Sequence, residues 1–166
     1  MNQLPPQSTL ARPDAAKALL GQEGHEYQAL WFAVAKLPWN SLVLVPADEG
    51  CSVAHVAQAL AAIGDHLSVS PVTYMVAHPS DYKSAIQVAA GASSRGWSSD
   101  QRALPRSGRV IIAVEPVVVE PFGIAVCQEA DATVICVELG TSGLAATRKT
   151  LERIGRDHVA GCFLVG

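Results

Sequence analysis

The stretch SLVLVPADEGCSVAHVAQALAAIG, residues 41–64, decides the reading of the fold. Residues 41–45 form a continuous apolar run, short enough for a strand and apolar enough to be buried on both faces of a parallel sheet. From about residue 51 to residue 63 the period changes. Val53, Val56, Ala57, Leu60 and Ile63 recur as the packing stripe of an amphipathic helix, and Gly64 stands where a C-terminal cap belongs. Between strand and helix lies PADEGCS, a glycine-containing loop. Loops at this kind of junction cradle phosphate when their backbone N–H groups are joined by a lysine and a hydroxyl. Ser52 supplies the hydroxyl, but the lysine position holds Cys51.

The rest of the chain repeats the strand–helix theme. Residues 1–24 contain three prolines and little periodicity, and are expected to form a loosely held N-terminal arm. Tyr27, Leu30, Trp31, Val34 and Leu37 predict an amphipathic helix over residues 25–37, closed by Pro38. A second strand is expected over residues 72–77, then a helix over 80–92 with Ser80 as its cap. Residues 92–108 are rich in Ser, Gly and Arg and read as a long surface loop. A third strand starts near Val110, and Pro116 and Pro121 limit regular structure beyond it. A short helix over 122–129 and a strand over 132–139 come next. A capped helix over 141–155 carries Leu144, Thr147, Leu151 and Ile154 on one face, and residues 159–166 close the chain as a fifth strand. Strands alternating with helices predict an α/β three-layer sandwich with a five-stranded, mostly parallel sheet. The arm of residues 1–24 then precedes one domain, residues 25–166.

Bulk composition agrees with that class. The 166 residues are 49% hydrophobic and 16% charged, with a net charge of −3. Such a chain can bury a core of its own. No basic stripe is present to neutralise phosphates, so a nucleic-acid partner is not expected. Apolar runs are strand-sized, far below the roughly 20 residues of a membrane-spanning helix. The first residues have neither a basic n-region nor an apolar h-region, which points to a cytoplasmic protein. Cys51, Cys127, Cys136 and Cys162 show no CxxC spacing, and the five histidines are scattered singly. Neither a structural metal nor a cofactor is expected.

Several short motifs fall in a recognisable order. Glu26 opens the first helix, Glu49-Gly50-Cys51-Ser52 follows the first strand, and Val110-Ile111-Ile112 precede Ala113 and Pro116. Asp131 leads the fourth strand, Thr141 leads the last helix, and Gly161 and Leu164 lie in the last strand. This order resembles the P-loop ATPase domain of the bacterial tyrosine autokinases that accompany capsular and exopolysaccharide chain-length regulators, relatives of the deviant-Walker cell-division and partitioning ATPases. That family carries E-G-K-[ST] in its loop, V-I-I-D-x-P-P on a later strand and E-x-x-R-x-x-R on its assembly helix. The resemblance spans residues 26–166 and implies a P-loop NTPase-like fold.

The departures fall on the catalytic positions. Relative to that family, the loop lysine is Cys51 and the first loop glycine is Asp48. The aspartate that would hold magnesium is Ala113, and Glu115 lies two residues further on, expected on the same strand face. Ala29 and Phe32 replace the assembly arginines. Phosphoryl transfer depends on charge stabilisation by such groups, each worth about 2.7–4 kcal/mol of barrier. The resemblance therefore implies a pseudo-ATPase with a degenerate nucleotide loop (Asp48, Glu49, Gly50, Cys51, Ser52) and a degenerate Walker B pair (Ala113, Glu115), and no catalytic residues. The expected role is that of a monomeric or dimeric non-catalytic scaffold or regulator in exopolysaccharide or capsule assembly. It would bind a membrane-bound polysaccharide co-polymerase, or another assembly protein, from its cytoplasmic side. Other readings stay open at this point. They are a degenerate partitioning or septum-placing relative with another protein partner, a weak nucleotide binder, an enzyme using Cys51 or the GTSG run (residues 140–143), and a plain α/β domain with a glycine turn.

Overall fold

A computed structural model describes residues 24–92 and 108–166. The expected arm, apart from Gly24, and all but the ends of the expected Ser/Gly/Arg loop lie outside the described residues. In chain order the elements are α1 (His25–Ala35), β1 (Ser41–Pro46), α2 (Ala54–Leu67), β2 (Val72–Val76), a 3-10 turn (Pro79–Asp81), α3 (Tyr82–Ala92), β3 (Arg109–Ala113), α4 (Gly123–Glu129), β4 (Ala132–Glu138), α5 (Leu144–Ile154), a 3-10 turn (Arg156–His158) and β5 (Val159–Val165).

The five strands form one sheet in the order β2-β3-β1-β4-β5, and every pairing is parallel. The sheet is therefore wholly parallel. All six residues of β1 are buried, as its continuous apolar run demands at the centre of a doubly covered sheet. Strand alternation divides the core. Leu42, Leu44, Ile111 and Val134 face Leu30, Trp31 and Val34 of α1 and Val56, Leu60 and Ile63 of α2. Val43, Val45, Ile112 and Ile135 face Tyr82, Ala85 and Ala89 of α3, Val126 and Cys127 of α4, and Ile154 of α5. Helices thus cover both faces, giving the three-layer α/β sandwich. A reciprocal clamp fixes the start of β1: Asp131 Oδ2 accepts from the N–H groups of Asn40 (2.8 Å) and Ser41 (3.2 Å), while Ser41 Oγ accepts from the Asp131 N–H (3.0 Å).

Several local expectations change. Helix α1 ends at Ala35, and Leu37 is exposed instead of completing the stripe. The Trp39 indole donates to the Val34 carbonyl at 2.7 Å, a second bond on a group that also accepts the Leu37 N–H at 3.0 Å. Trp39 is consequently buried, 2% exposed, against Trp31 and beneath Arg109. Phe32, 55% exposed, stands apart from it in burial. Helix α2 starts at Ala54, three residues later than expected. Gly64 is not its cap but an interior residue. A Cβ there would lie 2.6 Å from Cη2 and Cζ3 of Trp31, so the glycine lets α1 approach α2. Ser80 falls within the 3-10 turn before α3, whose start is instead preceded by an Asp81 carboxylate accepting from the His78 N–H. On α5 the packed residues are Thr150, Leu151 and Ile154. Leu144 is 86% exposed, and Gly143, the residue before the helix, provides no side-chain cap.

Candidate functional site

Chain direction locates the candidate site. After β1 the chain turns toward the α1–α2 layer, whereas after β2, β3 and β4 it turns toward the α3–α4–α5 layer. The connections therefore part at the carboxyl end of β1, on both its flanks. In open α/β sheets such a switch point is where ligands bind. The expected loop, residues 47–53, lies there.

That loop is tied down at both ends. Ala47 donates its N–H to the Cys136 carbonyl on β4 at 2.8 Å. Its own carbonyl accepts from Thr150 Oγ1 on α5 at 2.9 Å, a buried bond across 103 residues. Asp48 turns back locally, its Oδ1 accepting from the Glu49 N–H at 2.9 Å. Gly50 has φ +82°, a left-handed conformation that favours glycine, and nothing stands within 4 Å of where its Cβ would be. Ser52 is exposed, and its Oγ lies 3.4 Å from the Ala54 N–H at the start of α2.

Cys51 points into the fold, 9% exposed, with Sγ 3.5 Å from Ser142 Oγ in the loop after β4. Ser142 Oγ in turn accepts from the Glu138 N–H at 3.1 Å. The sequence offered Cys51 and the GTSG run as separate nucleophile candidates, and the fold brings them together. Burial pushes the Cys51 thiol up. The hydrogen bond from Ser142 opposes that shift, while Glu138 and the charge of Asp48 add to it. Since α2 begins only at Ala54, Cys51 precedes the helix and is not in its first turn, where a helix dipole could have favoured the thiolate.

The expected Walker B pair separates. Ala113 ends β3, is buried among the residues facing α1 and α2, and accepts the Ala77 N–H at its carbonyl. Glu115 lies beyond the strand rather than on its face. It meets His78 after β2, Oε1 to Nδ1 at 3.7 Å, and its N–H donates to the buried Tyr82 hydroxyl at 3.2 Å. No hydrogen bond among the described residues joins this His–carboxylate pair to Cys51 or Ser142. Among the described residues no three His, Cys, Asp or Glu side chains gather as a metal-ligating group.

Thr150, Ser142, Glu138, His78 and Tyr82 therefore belong to the site's surroundings, and motif reading assigned a part only to the run containing Ser142. Their partners lie 33 to 103 residues away in sequence, apart from the Glu138–Ser142 turn. The four loops at this end of the sheet carry Asp48, Glu49, Asp81, Glu115 and Glu120, and no lysine or arginine. No helix among the described residues is long and apolar enough to cross a membrane. Compared with known protein families and with curated proteins, the chain matches none.

Proposed function

We propose that this protein is a non-catalytic relative of P-loop ATPases that acts by binding a protein partner. The observation that carries the reading is the state of the loop after β1. At the place where a phosphate cradle needs a cation, Cys51 is turned inward onto Ser142, and Asp48 and Glu49 flank it. An anion arriving at the start of α2 would meet favourable N–H groups but also these two carboxylates, with no lysine to offset them. Magnesium has no ligand in Ala113, whose methyl group is in the core. Glu115 is engaged with His78 instead.

The setting comes from the motif order read in the sequence. The resemblance to the tyrosine autokinase domains of capsule and exopolysaccharide systems supports a role beside a membrane-bound polysaccharide co-polymerase, or another assembly protein, on its cytoplasmic side. In that setting a domain freed from nucleotide turnover presents one fixed surface to its partner. The parallel three-layer fold, with the degenerate loop at its switch point, supports this reading over a plain α/β domain.

Calorimetric titration with ATP and ADP, with and without magnesium, tests the proposal, together with assays for phosphate release and tyrosine autophosphorylation. The expected outcome is no turnover, and nucleotide affinity that is weak or absent and indifferent to magnesium. Magnesium-dependent hydrolysis that co-purifies with the protein and is abolished by Gly50→Asp would overturn it.

A further inference from the structure

Strand β5 lies at an edge of the sheet. Among the described residues it pairs with β4 alone, and its sequence VAGCFLV contains neither charge nor proline. Native edges are protected by charges, prolines, bulges or a covering segment, because their unpaired backbone groups invite another strand. The register shift opposite Thr133 and Val134 touches only the start of β5. Further on, the Leu139 N–H donates to the Val165 carbonyl, so the backbone groups of Val165 turn toward β4 and its extension. By strand alternation those of Phe163 and Gly161 turn the same way, and those of Cys162 and Leu164 turn outward. Side chains alternate between the faces. Phe163 and Val165 lie on the side of α1 and α2, whereas Cys162 and Leu164 stand opposite Ile135 and Val137 on the other side. Cys162 is exposed, and Leu164 is 57% exposed.

Cys162 is the middle residue of β5 (Val159–Val165), and about that midpoint the strand is complementary to a copy of itself. A two-fold axis there sets a second β5 antiparallel to the first, with Cys162 opposite its own copy. Gly161 then faces Phe163 of the copy. Nothing stands within 4 Å of where a Gly161 Cβ would be, so the ring has open space to fill, a pairing that compensates an edge glycine. Ala160 faces Leu164, again small against large, and Val159 faces Val165. No charge lies within the strand to meet its own copy across the axis. The outward N–H and C=O of Cys162 meet those of the copy and form a reciprocal pair of hydrogen bonds. An axis at Gly161 or Phe163 would instead set glycine on glycine or ring on ring, and would leave two residues at one end of each strand outside the pairing. A contact of this isologous kind satisfies both edges at once and closes at two copies.

We propose that two copies of this protein associate through β5, antiparallel about a two-fold axis at Cys162, so that their sheets join into one. The contact is independent of the proposed function, whose loop follows β1, two strands away. Sedimentation of the parent protein over a range of concentrations is expected to show a monomer–dimer equilibrium. Cys162→Lys and Cys162→Glu each set like charges directly opposite, so either variant alone is expected to lose the dimer. An equimolar mixture of the two is expected to recover it as a mixed pair. Position 162 is exposed, so both variants are expected to fold, and thermal melts check this. Among the four cysteines Cys162 is the exposed one. Opposed residues of such a pair have Cα atoms about 5.5 Å apart, within the reach of a disulfide. Oxidation of the parent with diamide is therefore expected to lock the dimer through Cys162, and Cys162→Ser to abolish the lock while the equilibrium dimer remains. A parent that stays monomeric at every concentration would overturn the proposal, as would a dimer that persists in Cys162→Lys alone. A mixture of the two charged variants that remains monomeric would overturn it too, since position 162 would then not face its own copy.

Discussion

At Gly64 the fold leaves no room for a methyl group. The position is helical and has an ordinary helical neighbourhood, so its own helix would welcome alanine. The obstacle is Trp31, whose ring atoms lie 2.6 Å from the site of a Cβ, with Val72 Cγ2 at 3.0 Å. Gly64→Ala is expected to destabilise the protein by about 1–3 kcal/mol through this overpacking, read as a lower denaturant midpoint with an unchanged slope. A gain in stability would mean that α1 shifts freely over α2. In the sequence Gly64 read as a cap, because a glycine ending a helical stripe has that local meaning, whereas Trp31 intrudes from a separate helix. Cys51 illustrates the same limit. Its inward direction depends on Ser142, and its thiol is raised first by burial, then further by Glu138 and Asp48. Cys51 is therefore expected to label more slowly near pH 8 than an unstructured cysteine peptide. Glu138→Gln should speed the reaction and Ser142→Ala should slow it, followed residue by residue by mass spectrometry. Labelling as fast as the peptide's would return Cys51 to the candidates for a reactive thiol.

Among the elements, strands were easier to read than helix ends. β1, β3 and β4 are buried runs of Val, Ile and Leu, and such runs keep their meaning without knowledge of the partners. Helix α5 was read correctly as an element but turned about its axis. The expected stripe included Leu144, which is exposed, and omitted Thr150, which is fully buried. A polar residue enters an apolar face when its hydroxyl finds an acceptor, and the acceptor here is the Ala47 carbonyl. That bond fastens α5 to the loop after β1 and so holds the candidate site in place. Thr150→Val keeps the shape and removes the donor. The expected cost is about 1–3 kcal/mol, since the Ala47 carbonyl loses a buried partner. Hydrogen exchange should accelerate over residues 47–53 more than in the sheet. A uniform acceleration throughout the protein would show that Thr150 supports the fold as a whole and has no particular hold on the loop.

For the whole molecule, the doubly covered parallel sheet was legible because alternation of strand and helix leaves few ways to bury both kinds of apolar surface. The surroundings of the site were not, since hydrogen bonds such as Thr150 to Ala47 and Cys51 to Ser142 join residues 103 and 91 apart. Burying both sheet faces also has a consequence for alkaline stability. Cys127 on α4 and Cys136 on β4 lie in opposite layers of the core, and burial pushes each thiol from its ordinary value of 9.0 up to about 12. Below about pH 9 both thiols are protonated in the folded and unfolded chains alike, and they add no pH dependence. Between about 9 and 12 the unfolded chain releases these protons while the folded chain keeps them, so stability falls as pH rises. Each thiol contributes about 1.4 kcal/mol of loss per pH unit in that window. Tyr82, raised from 10.0 chiefly by burial, acts in the same direction at higher pH. Denaturant midpoints of the parent protein at pH 8 and pH 10.5 should therefore differ more than those of a Cys127→Ala/Cys136→Ala variant. The variant starts from a lower stability at pH 8, because its core loses two sulfur atoms, and the two curves converge as pH rises. Curves that stay parallel across the window would mean that the buried thiols ionise as readily in the folded protein as in the unfolded chain, and that water reaches both core layers.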